Sequence, residues 1–367
     1  MLEIRALPAR EGDALWMRWG EPDQIHQLFI DMGTEASGRL IRGRLQALPE
    51  PQRSVDLLVI THVDSDHIGG ALSCLAEADA VPGLKLHGVW FNGFGHLSGA
   101  GGNDEPDLES MGPVQGEQLT RLLRDTSWNA PFHGKPICRR GGEPLPSALF
   151  HDGLRLTVLG PTPERLKAFE KTWQEEVQEA VRRGRLEPAA VPPGLESLGP
   201  GPAPVLMDDA DLETLAANRS NESDAALANG TSIVLLLEYR NRRLLLTGDA
   251  FSADLVAAIK TVSPHERLRL DLLKVPHHGS RNNLHRNLVD AVDCDRWLVS
   301  TDGTRFKHPD AEAIARIIRF SSRSPPRLVF NVPSAYNRYW NKPAWQSRYN
   351  YETEYGSTKE GWSFVFD

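Results

Sequence analysis

The feature that most constrains the fold is an apolar run that ends directly in a cluster of polar side chains. Residues 55–60 (Val-Asp-Leu-Leu-Val-Ile) have the length of a strand, and Thr-His-Val-Asp-Ser-Asp-His follows at 61–67. Gly69 and Gly70 then lead into a stretch with a helical pattern at 71–79. A buried strand, a polar loop and a helix in this order predict an α/β fold, whose sites lie at the carboxyl ends of strands.

The polar segment concentrates metal-binding groups. His62, Asp64, Asp66 and His67 bring two imidazoles and two carboxylates within six residues. Carboxylates this close together repel one another and are costly to bury unless a cation neutralises them. Imidazole and carboxylate are ligands that suit zinc, manganese or iron(II). The preceding strand and the following double glycine argue against a solvated acidic loop, so the segment predicts a metal site.

Other predicted strands end in residues of the same kinds: Asp31, Asp249, the pair His277 and His278, and His308. A single histidine at the end of a strand is usually structural. The repeated placement instead predicts that these groups meet at one edge of the fold. Asp249, in Thr-Gly-Asp-Ala, is the natural carboxylate to bridge two cations. Such a pair would polarise a phosphoryl or acyl oxygen and generate hydroxide near neutral pH.

Two regions interrupt this pattern of strands and helices. Residues 92–147 are rich in glycine and proline, and residues 161–230 begin with a charged helix at 164–185. We interpret both regions as insertions around the site, because neither carries a core pattern of its own. The chain is therefore predicted to form a single domain over residues 1–367.

The C-terminal tail, residues 325–367, is rich in aromatic side chains. It contains a predicted strand at 328–330 and a closing edge strand at 362–366. The aromatic residues Tyr336 to Trp345 suit packing or an interface, and a base-stacking surface is the alternative.

Composition limits the class of protein. The net charge of −8 does not suit a protein that coats nucleic acid, because such binding depends on Lys and Arg. A nuclease remains compatible, since bound cations add positive charge where a phosphate would lie. Three separated cysteines without a Cys-x-x-Cys pair argue against a disulfide scaffold. The first residues lack a signal-peptide pattern, and no apolar run could span a bilayer, so we expect a cytoplasmic protein without a membrane segment.

The motif at 61–70 resembles the His-x-His-x-Asp-His signature of the metallo-β-lactamase superfamily, with Asp64 in place of the second histidine. That replacement is similar to the soluble hydrolase domain of ComEC-type DNA-uptake proteins. Further segments share the likeness: Gly12-Asp13-Ala14, Asp31-Met32-Gly33, 230–234, 246–249, 274–280 and 307–309. The resemblance is collinear over about 1–320 apart from the two insertions. It implies an α/β fold in the form of an αββα sandwich, with two mixed β-sheets flanked by helices.

The resemblance also implies a division of roles among the ligands. His62 and Asp64 would bind one metal, and Asp66 and His67 would bind the other. Asp249 would bridge the two ions. The cofactors implied are thus two divalent cations, either zinc or manganese.

The same resemblance assigns roles around these ligands. His277 would complete the metal shells, whereas His278 and His308 would handle protons. Asp66 would also act in catalysis by orienting the attacking hydroxide. Asp31 would orient a ligand histidine through a hydrogen bond.

Substrate would be held by Ser280, with neighbouring backbone amides, and by Lys274. One departure concerns the histidine that the superfamily usually places between the first motif and the bridging carboxylate. His96, His133 and His151 lie in that interval, but none sits in a recognisable motif. The membrane channel and the oligonucleotide-binding part of ComEC-type proteins have no counterpart here, so DNA uptake is not implied.

The leading functional expectation is a metal-dependent phosphodiester hydrolase, above all a nuclease acting on DNA or RNA. A small phosphodiester, such as a nucleotide or a phosphocholine-type ester, is the alternative substrate. Carboxylic ester or lactone hydrolysis, and a metal-bearing module that binds a partner without turnover, also remain open. A nuclease predicts that Arg139, Arg140 or Arg243 face the metals. A small-molecule enzyme predicts a pocket roofed by 92–147 and 161–230.

Overall fold

The computed structural model describes the chain in six segments: residues 1–75, 80–97, 114–123, 128–182, 211–218 and 224–366. Within these segments the strands form two large β-sheets and one short pair, and the helices cover the outer faces. No helix in the described segments has the length and apolarity needed to cross a membrane.

The first sheet is mixed and begins at the last strand of the chain. Its spatial order is β16 (Trp362–Phe366), β1 (Leu2–Ala6), β2 (Leu15–Glu21), β3 (Gln24–Ile30), β5 (Leu57–Val59) and β7 (Val89–Trp90). Neighbours from β16 to β3 are antiparallel, whereas β3, β5 and β7 are parallel. The short strands β4 (Ser54–Val55) and β6 (Lys85–Leu86) pair beside it. The predicted edge strand at 362–366 is confirmed.

The second sheet is also mixed. Its order is β15 (Glu352–Tyr355), β14 (Arg327–Phe330), β13 (Val292–Val299), β12 (Leu268–Lys274), β11 (Arg242–Leu246), β10 (Val234–Tyr239), β9 (Arg155–Gly160) and β8 (Ser147–Leu149). Strands β11 to β15 run parallel, whereas β8 to β11 are antiparallel. The hairpin between β10 and β11 turns at Arg240, whose φ of 52° suits a two-residue loop.

Helices cover both sheets on their outer faces. The helices are α1 (Glu35–Ala47), α2 (Ser65–Leu75), α3 (Phe94–Leu97), α4 (Val114–Leu122), α5 (Pro163–Arg182), α6 (Leu212–Ala217), α7 (Ser252–Val262), α8 (Arg286–Ala291), α9 (Ala311–Phe320) and α10 (Pro343–Tyr349). Apolar residues of α1 and α2 pack with the first sheet, and those of α7, α8 and α9 pack with the second.

A third apolar layer lies between the two sheets and explains the uninterrupted apolar strands. Leu272 of β12 joins the layer between the sheets, whereas its neighbour Leu273 packs toward the helices. Parallel strands covered on both faces are expected to be apolar at successive positions. The layers therefore follow the order α, β, β, α, and the predicted αββα sandwich is confirmed.

Two predicted elements differ from the structure. The strand predicted at 55–60 is broken at Asp56, whose carboxylate accepts the backbone N–H of Gln27 at 3.0 Å. The chain there changes its partner strand from β6 to β3. The helix predicted at 71–79 already begins at Ser65, so Asp66 and His67 lie in its first turn. A sequence pattern misses this start because the polar residues of the motif conceal the apolar period.

The predicted insertions 92–147 and 161–230 fall partly outside the described residues, so their bounds stay predictions. The charged helix predicted at 164–185 corresponds to α5. In the aromatic tail, Trp340 is buried, and its ring lies 6.2 Å from that of Tyr351 and 5.9 Å from that of Trp345. These contacts favour packing over a base-stacking surface for Trp340.

Candidate metal centre

The carboxyl ends of strands from both sheets meet at one edge of the sandwich. Strands β3 and β5 of the first sheet lead into Asp31 and into the motif at 61–67. Strands β11 and β12 of the second sheet lead into Asp249 and into the His277-His278 pair. Their contacts with one another place the predicted ligands from four separate strands in one region.

Four of these residues form a tight cluster around the carboxylate of Asp249. Its Oδ2 atom lies 3.3 Å from Nε2 of His67 and 3.3 Å from Nε2 of His278. The Oδ2 atom of Asp66 lies 3.4 Å from the same His278 nitrogen. Two imidazoles and two carboxylates that converge at such distances form a donor set for a divalent cation.

His62 and Asp64 lie beside this cluster and have unsatisfied polar atoms. Nε2 of His62 is 3.5 Å from Oδ2 of Asp64, and the His62 ring centroid is 4.2 Å from that of His67. In the described part of the chain, Nε2 of His62 and Oδ1 of Asp64 are buried without a hydrogen-bond partner. Buried polar atoms without partners are costly, and a cation between them would remove the cost. The residues present therefore fit a divalent-metal centre.

Asp31 positions His67. Its Oδ2 atom lies 2.8 Å from Nδ1 of His67 and accepts the hydroxyl of Thr61 at 2.7 Å. Its Oδ1 atom accepts the backbone N–H of Thr61 at 2.7 Å. The carboxylate thus fixes the imidazole with Nε2 facing Asp249, which is the role expected of a carboxylate behind a metal-binding histidine.

The structure corrects the role expected of Lys274. Its side chain is buried, donates to the Gly248 carbonyl at 2.9 Å, and lies 3.3 Å from Oδ1 of Asp249. It also forms an ion pair with Asp13. Burial acts to lower the pKa of Lys274, but Asp13 and Asp249 outweigh it and raise that pKa. The ammonium is thus an internal counterion beneath the cluster, and substrate does not reach it.

The two consecutive histidines exchange their expected roles. His278 has its Nε2 within the cluster, and its Nδ1 lies 2.8 Å from the Ser300 carbonyl. Nε2 of His277 lies farther out, 4.0 Å from Oδ2 of Asp249. His278 is therefore the nearer of the two to Asp249, although His277 was the one expected to bind metal. Both residues have left-handed backbone, with φ of 48° and 52°, and this turn sends their rings in different directions.

His277 is held by polar residues that sequence analysis did not single out. Its Nδ1 atom lies 2.9 Å from Oδ1 of Asn283 and 3.3 Å from Oδ2 of Asp224. Asn229 and Asn283 both donate to Asp224, at 2.7 Å and 2.8 Å. The nearness of Asn283 to the His-His-Gly-Ser segment was the one available signal, because Asp224 and Asn229 are brought in by tertiary folding.

His308 and Ser280 lie at the margin of the centre. The ring centroid of His308 is 5.4 Å from that of His277, and its Nδ1 atom is 3.7 Å from Oδ1 of Asp310. Ser280 is buried, and its hydroxyl accepts the backbone N–H of Asn282 at 3.3 Å. His308 thus lies beside His277 at the margin, whereas the Ser280 hydroxyl closes a turn.

Charges within the cluster are strongly coupled. Burial acts to lower the pKa of His67 and of His278, but Asp249 and further carboxylates raise both well above the ordinary value. Burial acts to raise the pKa of Asp66 and of Asp249, but the histidines lower both. In metal-free protein, protons on the imidazoles therefore balance the carboxylates. Cations and protons compete for the same nitrogen atoms.

The candidate histidines for the remaining mid-chain ligand lie elsewhere. His96 accepts the Gly93 N–H at 3.0 Å through Nδ1, and its Nε2 lies 3.1 Å from the Gly134 carbonyl. Burial lowers the pKa of His96 to about 4. His133 is exposed. None of the three candidates makes a described contact with the cluster.

The third candidate, His151, belongs to a separate group with His26 and Asp56, whose ligand atoms lie within 4.8 Å of one another. The rings of His26 and His151 are stacked, with centroids 4.5 Å apart and an interplanar angle of 10°. A cation lies in the plane of each imidazole that binds it, and two parallel stacked rings do not share such a point. Trp19 stacks on the other face of His26, so the group is best described as an aromatic stack.

Of the arginines expected to face a nucleic acid, Arg243 points away from the centre. Arg243 pairs with Glu238 at 3.0 Å, at the start of β11 and therefore at the opposite end of the strand from Asp249. Arg139 donates to the Leu159 carbonyl at 3.1 Å. Glu11 lies near Asp66, and its pKa is raised by burial and, to a smaller extent, by that neighbour.

Comparisons with known proteins agree with the architecture. Residues 28–103 match the family model of the metallo-β-lactamase superfamily. No curated protein matches the chain.

Solved structures with a similar arrangement have low sequence identity. The metallo-β-lactamase fold protein YhfI from Bacillus subtilis is 10% identical, with a TM-score of 0.40, over 99% of this chain and 98% of its own. Zn²⁺-bound PqqB from Methylobacterium extorquens is 13% identical, with a TM-score of 0.39, over 96% and 87%. CmlA, a diiron β-hydroxylase from Streptomyces venezuelae, is 11% identical, with a TM-score of 0.35, over 86% of this chain and 48% of its own.

The matched segment contains Asp31 and the whole motif from His62 to His67. These residues lie at the edge where the two sheets meet. The two-sheet sandwich and the family match over residues 28–103 together identify the fold as that of the metallo-β-lactamase superfamily.

Proposed function

We propose that this protein is a divalent-metal-dependent phosphodiester hydrolase with two cations, zinc or manganese. The observation that carries the proposal is the convergence of Asp66, His67, Asp249 and His278 within 3.4 Å contacts, with the unsatisfied atoms of His62 and Asp64 beside them. His62 and Asp64 would hold one cation, and the cluster would hold the other. Bound cations would supply Lewis-acid polarisation of the substrate and activation of water.

Neighbouring residues orient the side chains that would bind the cations. Lys274 approaches Oδ1 of Asp249 and leaves Oδ2 facing the histidines, so it fixes which oxygen is available as a bridge. Asp31 fixes His67 in the same way from the first sheet. In this proposal Asp66 would accept a hydrogen bond from the attacking group, and His308 would give a proton to the leaving oxygen. Proton transfer of this kind contributes about 10²–10⁴ to a rate.

Nucleic acid is the first substrate class in this proposal. The motif with Asp64 in place of a histidine resembles the hydrolase domain of ComEC-type proteins, and this likeness supports DNA or RNA. The carboxylate of Glu11 near Asp66 is compatible with a nucleic-acid substrate. Two divalent cations would contribute the positive charge that a phosphate needs.

A small phosphodiester is the second candidate, and a specific cavity favours it. A cavity of about 380 Å³ is lined by Arg10, Asp302 and Tyr336, among others. This volume is within the range of small-ligand sites, about 300–1,000 Å³. It lies beside the 302–308 loop, since Asp302 and Thr304 line it. Its described lining has no residue of the cluster and none of the regions 92–147 and 161–230 that were expected to roof a pocket, so the cavity supports this candidate by its size alone.

The test is metal analysis of the purified protein followed by assay of the metal-loaded form. Plasmid, single-stranded DNA, RNA, bis-p-nitrophenyl phosphate and a lactone would be compared with and without Mn²⁺ or Zn²⁺. We expect cleavage of at least one diester and none by Asp249→Asn. Turnover of the lactone alone would contradict the phosphodiesterase, and turnover of no substrate would favour a binding module.

A further inference from the structure

Helix α5 has a carboxylate on its buried face, where an apolar residue would be expected. Leu166, Phe169 and Trp173 are buried and lie three or four residues apart, so they share one face of the helix. Glu176 follows Trp173 by three residues and continues this stripe. Both of its carboxylate oxygens are buried, and neither has a hydrogen-bond partner in the described part of the chain. An ionised carboxylate in that condition is strongly disfavoured unless a cation compensates it.

The helix lies against the first metal-binding motif. A Cβ on Gly116 would come within 2.6 Å of the Trp173 ring and 3.3 Å of the Val63 side chain, so Trp173 packs beside Val63. Glu176 lies one turn farther along α5. Its pKa is raised to about 8 by burial and, next in size, by the carboxylate of Asp64. The influence of Asp64 agrees with the packing, because Glu176 shares a face of α5 with Trp173, and Trp173 packs beside Val63.

Three residues in this region have buried polar atoms without a described hydrogen-bond partner. Nε2 of His62, Oδ1 of Asp64 and both carboxylate oxygens of Glu176 are buried and unpartnered. No described hydrogen bond reaches these atoms. A positive ion held among the three side chains would compensate for their burial.

The first cation has room for another protein ligand. His62, Asp64 and the bridging Asp249 would supply three donors, and a carboxylate could join them while a coordination position stays open for water, because catalytic zinc can expand to five ligands. The histidines that could have supplied the fourth donor are engaged elsewhere or exposed, as described above.

We propose that Glu176, on helix α5, is the remaining protein ligand of the cation held by His62 and Asp64. This inference rests on the proposed two-metal centre and adds a carboxylate donor that comes from the region predicted to be an insertion. Coordination by Glu176 would also hold helix α5 against the metal centre.

Glu175 provides a matched control for the test. It is exposed, and its only described ion pair is with Lys171, at 3.5 Å on the helix surface. Glu176→Gln and Glu175→Gln therefore remove the same charge from adjacent positions, one facing the centre and one facing solvent.

The experiment is calorimetric titration of Zn²⁺ into the chelator-treated full chain. Wild type and Glu175→Gln should bind two ions. In Glu176→Gln one ion should bind at least about 100-fold more weakly, because changes behind the ligands alone cost about 10–100-fold. Co²⁺-loaded protein should show an altered visible spectrum in Glu176→Gln alone, since a ligand change shifts these bands whereas a packing change does not.

Thermal unfolding of the metal-free variants separates ligation from folding. Metal-free Glu176→Gln should be at least as stable as wild type, because an uncompensated buried carboxylate has been removed. Two ions bound to Glu176→Gln with the affinity of Glu175→Gln would overturn the assignment while leaving the proposed function intact. Absence of Zn²⁺ binding by wild type would overturn both.

Discussion

Asp31 follows strand β3 and His67 lies in the first turn of helix α2, and Oδ2 of Asp31 lies 2.8 Å from Nδ1 of His67. This contact directs the other imidazole nitrogen toward Asp249 in the second sheet. Asp31→Asn should therefore weaken the binding of one divalent cation by about 10–100-fold. Calorimetric titration of the chelator-treated protein measures this directly. Asp56→Asn, which alters a carboxylate bonded to Gln27, is the control, and equal affinity in both variants would contradict the role given to Asp31.

Lys274 should matter for stability even though it does not reach the substrate. Lys274→Met leaves the buried carboxylates of Asp13 and Asp249 without their counterion. Removing one partner of a buried pair destabilises a protein by about 3–5 kcal/mol. Urea denaturation of the metal-free variant measures the loss, and Lys260→Met, at an exposed position of α7, is the control. A loss below about 1 kcal/mol would show that the ion pair is not needed.

Metal binding should depend on pH with a defined sign. In metal-free protein the folded pKa values of His67 and His278 are raised. Their contribution to stability is therefore complete below the unfolded value of about 6.5 and is lost as the pH rises through the folded values. Cations must displace these protons, so the increase in Tm on adding Zn²⁺ should be small near pH 6 and larger near pH 8. A larger increase at the lower pH would contradict this coupling.

His96 should affect acid stability without affecting metal binding. Burial lowers the pKa of His96 to about 4. Between about pH 6.5 and pH 4 the histidine is therefore protonated in the unfolded chain but not in the folded one. Stability should decrease by about 3 kcal/mol as the pH falls through this interval. His96→Leu should abolish that decrease, at a cost of about 1–3 kcal/mol at neutral pH for the unpaired Gly93 N–H. His133→Leu, at an exposed position, is the control. Altered Zn²⁺ affinity in His96→Leu would contradict a purely structural role.

His308 should act on the leaving group. His308→Ala should lower kcat by about 10²–10⁴ for a nucleotide leaving group, because an alkoxide needs a proton as it departs. A p-nitrophenolate leaving group needs none, so the loss with bis-p-nitrophenyl phosphate should be small. Both rates are measured on protein loaded with the same metal, whose content should be unchanged. An equal loss with both substrates would assign His308 to another step.

The sequence predicted the sandwich and the region of the site because strand ends carry chemically unusual residues. Metal-binding residue types follow an apolar strand directly both at His62 and at Asp249, and this combination is unusual in an ordinary sequence. Lys274 was assigned to the wrong role because a basic residue beside a motif gives no sign of whether it is buried. Its position beneath Asp249 depends on Asp13, which is distant in the chain.

Other features could not be read from local pattern at all. Glu176 lies in a charged helix where a glutamate is ordinary, and only the packing of Trp173 beside Val63 shows that it faces inward. The exchange of roles between His277 and His278 depends on two left-handed residues in a row. Local propensity does not foresee such a turn in a segment without a glycine at those positions.

The meeting of the two sheets at this edge has a consequence for how the protein acquires its metal. Asp31 and the motif at 61–67 come from the first sheet, whereas Asp249 and His278 come from the second, so neither half of the chain owns a complete set of donors. A divalent ion would thus bind tightly only when the two sheets are packed together, and its binding would stabilise that packing. Metal binding would then follow the packing of the two sheets during folding.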